Sequence, residues 1–98
     1  MTRDAITRQR EAIENAQAAV APFVAAWRAL DSGLNDADRV KFDHVLTAPR
    51  PERTLWERSL SPANLALCWA KCQMEEGAND ALLAYPDSGV TFEQELNA

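Results

Sequence analysis

Ile6, Ile13, Val20 and Trp27 stand seven residues apart, and Ala16, Phe23 and Leu30 each follow three residues after one of the later members. Apolar positions alternating in steps of three and four trace one face of an α-helix, so nearly a third of the chain is committed to a single amphipathic helix. Gln9 is the one polar residue in register, and Arg8, Glu11, Glu14, Gln17 and Arg28 fall on the opposite face. Pro22 lies inside the pattern and removes a backbone hydrogen bond there. The seam keeps its phase across the proline, which predicts one helix from about Asp4 to Leu30, kinked at Pro22, rather than two.

Asp31-Ser32-Gly33 should end that helix, with Gly33 as a left-handed cap. A second helix is expected from Asn35 or Asp36 to about Leu46, burying some of Val40, Phe42, Val45 and Leu46. The two prolines of Thr47-Ala48-Pro49-Arg50-Pro51 break it. Glu52 to Leu60 reads as a short third helix with Leu55, Trp56 and Leu60 inward. Ser61-Pro62 starts a fourth, with Leu65, Cys68, Trp69 and Cys72 on one face. This helix stops at Gly77 or runs on to Tyr85. Thr91 and Gln94 have capping-box spacing, favouring a short last helix over a strand through Val90, Phe92 and Leu96. Alanine is abundant, at 18 of 98 residues, and glycine is scarce, at 3, which biases the whole chain toward helix. The expectation is one all-α domain over residues 1–98, a compact four- to five-helix bundle with a long N-terminal helix.

Net charge is −5, and its position matters more than its size. Residues 1–62 are nearly neutral, whereas residues 63–98 set Lys71 alone against Glu75, Glu76, Asp80, Asp87, Glu93 and Glu95. That field disfavours direct binding to a nucleic-acid backbone and suits a protein partner with a basic surface. Met1-Thr2-Arg3-Asp4 does not read as a signal peptide, and no apolar run reaches the ~20 residues needed to cross a bilayer. A cytoplasmic location without membrane association, and with Cys68 and Cys72 as free thiols, is therefore expected.

No residue pattern marks a catalytic site. Cys68 and Cys72 share a helix face, but a structural zinc site needs four ligands and His44 is the only histidine, so they read as core and no metal is expected. His44 beside Asp43 does not form a catalytic pair, because adjacent helical residues diverge by about 100°. Three scattered glycines leave no phosphate-binding loop, and no cofactor is expected. Arg50-Pro51-Glu52-Arg53 reads as an exposed loop whose two arginines are spaced to grip a carboxylate, but an ordinary connection with charge pairs such as Arg53–Glu57 accounts for them better.

What remains is function by contact. Glu75, Glu76, Asp80 and Asp87 present oxygen arrays of the kind that arginine and lysine receive from phosphates. Trp56, on a short helix after a loop, is the aromatic expected to join them. The sequence thus points to a non-enzymatic module that inhibits or modulates a larger partner. In size and composition, though in no motif, it resembles phage-borne inhibitors of bacterial defence, anti-CRISPR proteins among them. The alternative expectation is a self-associating assembly protein that dimerises through the first helix.

Overall fold

The computed structural model describes residues 2–98 as five α-helices, with no strand among them: α1 (Arg3–Asp31), α2 (Asp36–Thr47), α3 (Arg50–Ser59), α4 (Pro62–Leu82) and α5 (Phe92–Leu96). Each start except that of α3 has a side-chain cap. Thr2, Asn35, Ser61 and Thr91 accept from the backbone N–H groups of Ala5, Asp38, Asn64 and Gln94 respectively. Gln94 returns a bond to the Thr91 N–H and completes the capping box. The short-helix reading of the tail therefore holds.

α1 runs unbroken through Pro22, as the unshifted seam requires. The reason is on its solvent side. Pro22 and Ala18 are both exposed, so the carbonyl that loses its N–H partner is left to water instead of being buried. Gly33 departs from expectation. Among the described residues, positive φ occurs at Gly89 and not at Gly33. α1 closes instead with Ser32 in right-handed geometry, its N–H reaching the Arg28 carbonyl at 3.0 Å, and Gly33 and Leu34 continue the turn.

α4 passes through Gly77, and the local packing explains why. Phe23 of α1 lies so close that a Cβ on residue 77 would sit 2.5 Å from its ring. A glycine normally weakens a helix interior; here it lets α1 and α4 approach. The pairs Gly33–Leu67, Trp27–Lys71 and Phe23–Gly77 descend along α4 as they retreat along α1, so the two helices are antiparallel. α2 and α3 form a second antiparallel hairpin, with Lys41 near Ser59 and His44 stacked on Trp56.

The molecule has two cores in series. Leu34, Phe42, Val45, Leu60 and Cys68 join the α2–α3 hairpin to the start of α4. Val20, Val24, Ala78 and Phe92 join α1, the end of α4 and α5. The shape is elongated, 56 × 25 × 18 Å, with a radius of gyration of 17.1 Å against about 13 Å for a compact chain of this length. Compactness is thus corrected. Part of the excess length is the start of α1: Ala16 is its first buried residue, and Ile6 remains 46% exposed. α4 gives α1 a partner only over the later part of the seam.

Two expected inward residues, Leu55 and Trp69, face out, and α2 buries only two of its four apolar candidates. Leu55 is 66% exposed and Trp69 42%, while Val40 and Leu46 leave the burial of α2 to Phe42 and Val45. α3 buries no residue fully, because it touches the rest of the fold through α2.

Asp31 ties the two cores together. Its carboxylate accepts from Arg39 Nε at 2.9 Å and Lys71 Nζ at 2.7 Å, and Lys71 also lies 4.3 Å from the centre of the Trp27 ring. The Arg39 guanidinium, aided by Lys71, holds the Asp31 carboxyl below its ordinary value of 3.8 against the opposing effect of burial. A lowered carboxylate contributes stability above its unfolded value and loses it as pH falls through the folded one. Asp31→Asn should cost about 1–2 kcal/mol at neutral pH, and the deficit should shrink as pH falls below the ordinary carboxylate value and through the lowered folded one. Chemical denaturation of both proteins across pH 2–7 measures this; a pH-independent difference would remove the ion pair as its cause.

Candidate functional site

Four of the five candidate contact residues are charged and all four are exposed. Glu75, Glu76 and Asp80 ride on α4, and Asp87 lies in the turn after it. None forms an ion pair among the described residues. The sole basic residue of this third, Lys71, has only 14% of its side chain exposed and is turned inward onto Asp31 and Trp27. The negative field is therefore left without local compensation. Glu93 and Glu95 belong to a different surface: α5 packs on α1, where a Glu95 carboxylate oxygen accepts from Gln17 at 3.5 Å.

Trp56, the fifth candidate, sits apart from the acidic group in sequence and in contacts. It is half-buried on α3, stacked on His44 with ring centres 4.3 Å apart and planes 12° from parallel. Trp27 is half-buried under Lys71. The most open of the three tryptophans is Trp69 on α4, which meets Phe42 edge-on at 5.3 Å. The exposed aromatic thus shares a helix with the carboxylates, a placement hidden in the sequence because Cys68 and Trp69 are neighbours and only the tertiary contacts show which one faces the core.

Arg50 and Arg53 lie in the first turns of α3, not in a loop, since that helix begins two residues earlier than expected. Cys68 is buried and Cys72 half-buried; burial pushes both thiols above their ordinary value, which keeps them protonated. Among the described residues no three His, Cys, Asp or Glu side chains gather as a metal site. Two shallow depressions lie on the uncovered start of α1, one of about 390 Å³ lined by Ile6, Gln9, Arg10, Ile13, Glu14 and Gln17, the other by Asp4, Thr7, Arg8 and Glu11. Each is walled by one helix alone. No described helix is long and apolar enough to cross a membrane.

Set against known protein families, curated proteins and solved structures, the chain matches none.

Proposed function

We propose that this chain works by contact, as a non-enzymatic module that inhibits or modulates a larger protein by laying the carboxylates of α4 against its basic surface. The observation behind this reading is the isolation of Glu75, Glu76 and Asp80: they are exposed and unpaired, and Lys71, the base nearest them in sequence, is spent on Asp31. Carboxylates on successive turns of a helix offer a basic groove what phosphates offer it. The partner on this view is a nucleic-acid-binding protein, and the inhibition is occupancy of its phosphate-binding surface. Anti-defence inhibitors carried by phages are the setting that fits such a device.

Affinity capture from a bacterial lysate, followed by binding assays with the purified partner, tests it. Affinity should fall as salt rises, and Glu75→Lys, Glu76→Lys and Asp80→Lys combined should weaken it at least tenfold. Oligonucleotides should compete. Salt-independent binding that survives the triple reversal would sink the proposal.

The second reading, self-association through α1, rests on the uncovered start of the seam, with Ile6 46% exposed and no residue buried before Ala16. Its later half is already occupied by α4 and α5. Light scattering over a wide concentration range decides this one, since a strict monomer excludes it.

A further inference from the structure

The outward face of α4 is more than acidic. Pro62, Ala66, Trp69, Gln73, Glu76, Asp80 and Leu83 recur in steps of three and four and are exposed at every position. Trp69, Glu76 and Leu83 are a heptad apart, so one stripe carries an apolar end, an acidic centre and a second apolar end. The ends lie about 21 Å apart at 1.5 Å per residue. Leu83, at the C-cap, keeps right-handed helical geometry and therefore the phase of the stripe, and it is 76% exposed.

We infer that this stripe is a docking face for a basic amphipathic helix of a partner protein, one that sets apolar side chains against Trp69 and Leu83 and arginine or lysine against Glu76 and Asp80. The inference rests on the contact reading above and adds to it the face, the two apolar anchors and the helical form of the partner. Charge chooses the occupant. A second copy laid stripe on stripe would press Glu76 against its own counterpart in either direction, and Asp80 against its own as well in a parallel pair, and like charges at such seams oppose pairing. A basic helix meets those carboxylates with opposite sign. Heptad spacing is also what a second helix running alongside reads, because each turn pair returns the same face to the seam. The exposed indole then supplies the large, rigid contact that interface centres favour.

Two synthetic probes separate the components. One is an amphipathic helix of about 21 residues with leucines a heptad either side of an arginine pair; the other is a nonaarginine peptide. The amphipathic peptide should bind at least tenfold more tightly and shift the Trp69 indole N–H resonance, while the resonances of Trp27 and Trp56 stay in place. Leu83→Ser, at a site too exposed to threaten folding, should cost it about tenfold and leave nonaarginine binding unchanged. Glu76→Gln with Asp80→Asn should weaken both. If the two peptides bind alike and Leu83→Ser changes nothing, the docking face is refuted while the simpler electrostatic contact stands. If neither peptide binds at low salt, both readings fall. A Trp69 resonance that moves with protein concentration alone would place a second copy on the stripe and overturn the inference.

Discussion

Gly77→Val is expected to destabilise this protein by about 2–3 kcal/mol, in spite of replacing a residue that helices disfavour. Relieving a mid-helix glycine returns at most about 1 kcal/mol. Against that, any Cβ at this position enters the Phe23 ring, at 2.5 Å from one edge carbon and 3.0 Å from the next. Phe23 cannot simply swing away, because it packs against the core of Val20, Val24, Ala78 and Phe92. The cost is therefore paid by separating α1 from α4, and with it the longest contact in the fold. A double-mutant cycle with Phe23→Leu tests the cause: the smaller side chain should recover part of the loss. Thermal or denaturant unfolding of the four proteins measures it, and strictly additive effects would mean that the close approach is not responsible.

The second large effect is expected at the other end of the same core. Phe92→Ala should cost about 3 kcal/mol, the low end for emptying a buried aromatic site. Phe92 is 4% exposed and opens a helix of only five residues, too short to persist without tertiary support. α5 is otherwise fastened by Leu96 and by Arg28, whose Nη2 donates to the carbonyl oxygens of Leu96 at 2.8 Å and of Glu95 and Ala98 at longer range. Hydrogen exchange should show the amides of residues 92–97 losing protection first, with the α2–α3 hairpin little changed. Uniform loss across all five helices would show instead that α5 does not open as a separate unit.

Much of this architecture could be read from the residues in order. The seam from Ile6 to Leu30 was legible because a helical face repeats locally, and the caps at Asn35, Ser61 and Thr91 because a capping side chain acts within three residues of itself. The same reach explains the misreadings. Gly33 looked like a left-handed cap, yet the closure of α1 is a right-handed turn that any residue could enter. At Gly77 the residues in order left open whether α4 stops or continues, because the role of that glycine depends on a ring more than 50 residues away in the chain. Leu55, Val40, Leu46 and Trp69 are apolar, but apolarity states only that burial would be favourable. It does not supply a neighbour to be buried against.

The candidate site divides in the same way. The excess of carboxylates after Met74 is a property of composition, and no packing could remove it. Whether those carboxylates were free was a tertiary question, because Lys71 had equal standing in the sequence as their counter-ion. The fold sends Lys71 inward to Asp31, 40 residues earlier, and to Trp27. It also sets Trp69 and Leu83 on the outer face of α4 and stacks Trp56 against His44 instead. Periodicity and charge count, which act between near neighbours or over the whole chain, determined the helices and the acidity. Which side of each helix meets a partner depends on contacts between elements, and only the packing of α1 against α4 and of the α2–α3 hairpin on the start of α4 decided that.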